Sequence, residues 1–126
     1  MKKILFAGLV LLVGMMLTGT IFAHEIKENK ILVDEVVDAI NSGKKPEDFK
    51  DWAYKEPYYV SIMDQNGRFL VHPTYTQLQA WDKVILDAHL KATTEGLWVS
   101  FPWRGNRHAY VRKTKSGLIV GSGHWD

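Results

Sequence analysis

Two apolar runs flank Asp64-Gln65-Asn66-Gly67 in YYVSIMDQNGRFLVHP (58–73) and predict a β-hairpin, because Asn and Gly supply the positive φ that a tight turn requires. The second strand ends at His72-Pro73, where a residue without an N–H stops the ladder. Upstream, Ile26, Val33, Val37 and Ile40 fall on one stripe of a helix over 25–42. Glu28, Asp34, Glu35 and Asp38 stay mostly off that stripe, and Gly43 is a natural C′ residue. The connection GKKPEDFKDWAYKEP (43–57) has prolines and many charges, which suits an irregular path with a short helical turn pinned by Phe49, Trp52 and Tyr54.

After a polar loop over 74–80, Leu78, Trp81, Ile85, Ala88 and Ala92 recur at helical spacing until Gly96. From Leu97 the period changes to two: LWVSFPWR, a Gly105-Asn106 turn, RHAYVRKT, a Lys115-Ser116-Gly117 turn, and LIVGSGHW. Helix, two strands, helix, three strands is an α+β order. Its economical form is a five-stranded antiparallel sheet with helices and loops segregated to one face and the other partly open. The long N-terminal helix would cross the sheet or run along its edge. The second helix and the loop after Pro73 would roof the rest, with a pocket between sheet and roof.

Length allows one domain: 126 residues, 46% apolar, with five Trp, five Tyr and five Phe. The absence of cysteine rules out disulfides, thiolate zinc, covalently attached c-type haem and a lipoprotein anchor. Lys2 and Lys3 precede an uncharged run from Ile4 to Ala23, the pattern of a secretory signal removed after Ala23. Ile21 is an indifferent residue three places before that cut, and the run is long enough to span a bilayer, so an uncleaved anchor is the alternative. Either way residues 24–126 are expected outside the cytoplasm as a single domain. Loss of residues 1–23 leaves 14 bases against 14 acids. The bases gather late, at Arg104, Arg107, Arg112, Lys113 and Lys115, which suits a solvated strand face or a small anion and does not indicate a nucleic-acid partner.

The hairpin D-x-N-G-x-x-L-V-H-P, the late basic-x-x-Tyr-Val strand and its Val-Gly-Ser-Gly end resemble the single Cache domain, the extracytoplasmic PAS-like sensor module of bacterial and archaeal signalling proteins. The likeness covers about residues 25–125. It implies a PAS-like five-stranded sheet and binding, not catalysis, of a small ligand: often acetate, propionate, lactate or pyruvate, sometimes an amino acid or amine. It implies that His72 matches the histidine of the His-Pro corner, that Arg107 stands where many members have lysine, and that Tyr110 matches the strand tyrosine. Ala109 departs from the serine common before that tyrosine. Cache domains usually precede a membrane helix and a kinase, cyclase or chemoreceptor domain, and none follows Asp126. The expectation is therefore a free-standing sensor acting with a separate membrane partner, a histidine kinase or chemoreceptor, and able to dimerise through its N-terminal helix, or else a ligand-binding protein with no signalling role.

An organic acid needs a cation for its carboxylate, neutral donors, and apolar walls. Arg107, His72 and Tyr110 are the polar candidates; Trp98, Phe101, Trp103 and Tyr75 are the wall candidates. Strict alternation puts Arg107 with Ala109 and Val111 on the inward face and Tyr110 with His108 and Arg112 on the other, so both point inward only with a bulge or a ligand at the strand's end. His72 has the further reading of closing the proline corner. Each aromatic has the further reading of core. Copper binding through His24, His72, His108 and His124 is an alternative, with His24 as the new terminus. A ligand-free interaction module is another. Gly121-Ser122-Gly123-His124 could suggest a hydrolase, but a neighbouring histidine in sequence does not make a base, and no carboxylate pair, P-loop or dinucleotide motif is present. The chain reads as a non-enzyme without a cofactor.

Overall fold

The computed structural model describes residues 25–79 and 82–125. The signal segment, His24 and Trp81 lie outside them. Helix α1 (Lys27–Asn41) leads through a 3₁₀ segment (Pro46–Tyr54) to strands β1 (Ser61–Met63) and β2 (Phe69–Val71). Helix α2 (Lys83–Leu90) follows, then β3 (Leu97–Pro102), β4 (Asn106–Lys113) and β5 (Ile119–Trp125). All pairings are antiparallel, in the order β2-β1-β5-β4-β3. This is the five-stranded α+β arrangement expected, with a long N-terminal helix and a second helix over the sheet.

One expectation changes: the helices do not share a face. Val33, Val36 and Val37 of α1 pack with Val60, Ile62, Val71, Tyr110 and Val120. Ile85 and Ala88 of α2 pack with Met63, Phe69, Val99, Phe101, Ala109, Val111 and Ile119. Alternating residues of one strand, Ala109 and Tyr110, thus enter different cores, so both faces of the sheet are covered. The physical reason is that β1, β4 and β5 are apolar on both sides, and neither side can be left to water.

Turn chemistry is where the sequence placed it, with one shift. Gly67 has φ 84° and Gly117 φ 92°. Between β3 and β4 the left-handed pair is Arg104 (φ 54°) and Gly105 (φ 117°), one residue earlier than expected, and Asn106 already belongs to β4. Tyr54 is 72% exposed and pins nothing; Phe49 and Ala53 are the buried residues of the 3₁₀ segment. The loop after Pro73 runs back along β2, where Phe69 N–H donates to Thr76 carbonyl and Leu78 N–H to Gly67 carbonyl. It protects the sheet edge while forming the roof.

Candidate functional site

The register within the hairpin decides which side chains meet. Ile62 pairs with Val71 and Met63 with Phe69, so Leu70 is an extra residue on β2, a β-bulge. Strict alternation would put Phe69 and Val71 on one face. The bulge separates them: Phe69 enters the α2 core, Val71 the α1 core, and His72 comes round to the face of Phe69, ring centroids 4.5 Å apart. Pro73 then turns the chain into the roof.

A cavity of about 30 Å³ lies on this face, between the sheet and α2 with its preceding loop. On this scale one water needs about 10–15 Å³, so the space suits a ligand of a few heavy atoms. Phe69, Tyr75, Phe101 and Trp103 wall it; Arg107, His72, His89, Tyr59 and Ser61 bring polar atoms to it. No Asp or Glu lines it among the described residues.

Arg107 is the dominant charge. It is 3% exposed, at the start of β4 and paired across the sheet with Phe101 and Trp125. Its guanidinium carbon stands 4.1 Å from the Trp125 ring centre, 5.0 Å from Trp103 and 5.3 Å from Tyr59, an aromatic clamp that fixes the plane. The floor permits this because Gly123 has no side chain: a Cβ there would lie 3.3 Å from Arg107 Nε and 2.8 Å from the His108 carbonyl oxygen. Nη2 donates to Tyr59 Oη at 2.6 Å, and Nη1 has no partner among the described residues. Burial pushes the guanidinium's pKa down, against the opposing pull of Tyr59. It stays protonated nonetheless, so a buried cation faces the cavity without a carboxylate.

His72 has two roles at once. Its Nδ1 accepts the N–H groups of Thr74 (3.0 Å) and Tyr75 (2.9 Å), closing the proline corner. An Nδ1 that accepts is unprotonated, so the neutral ring carries its proton on Nε2. Desolvation, then Arg107, then His89 lowers the pKa to about 4, and the ring is neutral at pH 7.

Of the seven ligand candidates, the structure brings five together: Arg107, His72, Tyr75, Phe101 and Trp103 line one cavity. Tyr110 and Trp98 lie on the other face, rings 5.4 Å apart, in and beside the α1 core. The β4 register runs unbroken from Arg107 to Lys113, so no bulge turns Tyr110 toward Arg107. Its hydroxyl instead donates to the Glu95 carbonyl at 3.0 Å, in space kept open by Gly96.

Tyr59, Ser61, Phe69 and His89 line the cavity and escaped the sequence reading. His89 sits four residues after Ile85 on the buried stripe of α2, which the helical period could have disclosed. Tyr59 precedes β1, and only tertiary pairing with Arg107 identifies it.

The rival motifs are differently placed. Ser122 Oγ donates to the Tyr59 carbonyl at 2.8 Å and accepts from Asn29, while His124 Nδ1 lies 2.8 Å from Asn29 Oδ1. The serine proton is directed at a backbone oxygen, not at a histidine base. His108 and His124 neighbour each other on the α1 face, His72 lies across the sheet, and His24 is outside the described residues. Among the described residues, no group of three or more potential ligands could hold a metal, and no helix is long and apolar enough to cross a membrane.

No protein-family description and no curated protein matches the chain. Among solved structures, it is similar to the crystal structure of a methyl-accepting chemotaxis protein from Vibrio parahaemolyticus, with a TM-score of 0.48 and 14% identity over 79% of this chain and 86% of that one. At that distance the likeness bears no weight on ligand or role.

Proposed function

We propose that residues 24–126 form a Cache-like extracytoplasmic sensor domain that binds a small organic acid and acts with a separate signalling partner. The motif resemblance supports the sensor class, and one observation carries the ligand class: the buried guanidinium of Arg107, with Nη1 unpaired, faces a cavity that has no acidic side chain among the described residues. A buried cation without a carboxylate partner among the described residues is expensive, and an anionic ligand relieves that cost through charge-assisted hydrogen bonds. Among the described residues the cavity shows no nucleophile hydrogen-bonded to a base, which supports binding as the reading. Signal cleavage after Ala23, dimerisation through α1 and a membrane kinase or chemoreceptor as partner belong to the same proposal.

The test is a thermal-shift screen of the purified protein against short carboxylates, amino acids, amines and divalent metals, followed by calorimetry. A ligand at a hundred times its dissociation constant adds about 2.7 kcal/mol to stability. The expected hit is a short monocarboxylate, lost in Arg107→Met. Silence across the panel would replace this reading with an interaction module, and a response to copper alone, lost on replacing His24, would replace it with a metal site.

A further inference from the structure

The two histidines of the cavity are fixed in opposite tautomers. His72, with Nδ1 accepting two backbone N–H groups, has only Nε2–H left and can only donate. His89 is the reverse. Its Nδ1 stands 2.8 Å from the Ile85 carbonyl oxygen, which can only accept, so Nδ1 carries the proton and Nε2 holds a lone pair. That Nε2 lies over the gap left by Gly121 in the cavity floor, 3.6 Å from where a Cβ would stand. His89 is 6% exposed, and Nε2 has no hydrogen-bond partner among the described residues. Burial holds the ring's pKa down, as does Arg107, while the Ile85 carbonyl works against them, so the lone pair is present at neutral pH.

The cavity therefore holds a cation and a donor for a carboxylate, and beside them an acceptor, Nε2 of His89, open to the cavity. From this complement we infer that the ligand is a short 2-hydroxy monocarboxylate, its carboxylate on Arg107 and its hydroxyl donating to Nε2 of His89. The inference rests on the carboxylate reading above and narrows it. An unsubstituted acid leaves Nε2 desolvated and unpaired. A 2-oxo acid offers it a second lone pair. An α-amino acid brings an ammonium into a cavity that already contains Arg107 and, among the described residues, no acidic side chain to receive a second cation. The small volume limits the carbon chain to about two or three atoms, whose apolar end meets Ile85 and Phe101.

The experiment is calorimetry on the full chain with glycolate and lactate against acetate, propionate and pyruvate, in the wild type and in His89→Leu. In the wild type, lactate should bind about tenfold more tightly than propionate or pyruvate, the size of one satisfied buried hydrogen bond. In His89→Leu, the preference for lactate over propionate should disappear, the two acids binding alike. Because the leucine variant could fail to fold, ¹⁵N NMR of His89 in the wild type provides a second readout: the Nε2 resonance should move upfield, as an accepting ring nitrogen does, with lactate and not with propionate. Equal affinity of lactate and propionate, or an unmoved Nε2 resonance at saturating lactate, overturns the hydroxyl contact and leaves the carboxylate reading intact. Failure of every acid to bind overturns both.

Discussion

Strand β4 carries two arginines, Arg107 and Arg112, and their surroundings differ as the two faces of the sheet differ. Arg112 faces α1. Its Nε donates to the Thr94 carbonyl, and its Nη1 pairs with Asp34 at 3.2 Å and Asp38 at 3.5 Å. The deeper polar groups of that face are likewise satisfied: Asn29, fully buried, donates to Ser122 Oγ at 2.9 Å and lies 2.8 Å from His124 Nδ1. On the α2 face, Arg107 has one hydroxyl and three rings, and the Nε2 of His89 lies beside Gly121 in the cavity floor. In the proposed reading, the partnered polar groups hold the fold and the unpartnered ones receive the ligand. The same fold thus has one face closed on itself and one left chemically incomplete.

The largest effect that could break this contrast is on stability. Asn29→Leu removes the acceptor of a buried histidine and a donor to Ser122, and should cost about 3 kcal/mol in urea unfolding. Arg107→Met, also a deep substitution, removes a cation with no acidic partner among the described residues and should cost less than about 1 kcal/mol, or raise stability slightly, while abolishing carboxylate binding. Equal losses in the two variants would make Arg107 a structural residue and return the cavity to ordinary core.

Acid should next separate the free and occupied states. The folded-state pKa of His72 is lowered to about 4 from an ordinary value of 6.5, and that of His89 is lowered too. Between those pH values the unfolded chain binds more protons than the folded one. Stability is therefore fully present above about pH 6.5 and is lost as pH falls toward 4. A bound carboxylate beside His72 favours its protonated form, so saturation with the ligand should flatten the fall in melting temperature across that window. A melting temperature equally steep with and without ligand would place the anion away from His72.

These contrasts were partly legible beforehand. The Asn66-Gly67 turn and the period-two runs after Leu97 wrote the strands directly, since both depend on local backbone chemistry. Parity alone put Arg107 with Ala109 and Val111 and Tyr110 opposite. The bulge at Leu70 was not legible, because an extra residue shows only against its partner strand, and it is what puts His72 on the face of Arg107. Tyr59 had no local signal. Nor did the double-faced core: β5 reads as a continuous apolar-to-small run whether one or both of its faces are covered.

The tyrosines give a smaller and sharper comparison. Tyr110→Phe loses a hydrogen bond to the Glu95 carbonyl and should cost about 1 kcal/mol with no change in ligand affinity. Tyr59→Phe takes from Arg107 Nη2 its one acceptor among the described residues and should change affinity for the carboxylate at similar stability cost. A ligand effect in Tyr110→Phe as large as that in Tyr59→Phe would move the site toward the strand's α1 face.

The smallest expected effect belongs to Asp34→Asn. Asp34 receives Arg112 at 3.2 Å and Lys30 at 2.7 Å, with both cations partly in solvent. Pairs of this kind contribute about 0–1 kcal/mol and weaken with salt, because each long side chain gives up rotamer freedom and water screens the attraction. Arg112 also keeps its bond to the Thr94 carbonyl, so the loss should sit at the low end of that range and vanish at high ionic strength. Carboxylate affinity should not move, since Arg112 and Arg107 point to opposite faces and are joined only by the backbone of β4. If Asp34→Asn weakened ligand binding as strongly as Arg107→Met, the two faces would be coupled through that strand. The sheet would then be a relay between α1 and the cavity, not a partition between a closed face and an open one.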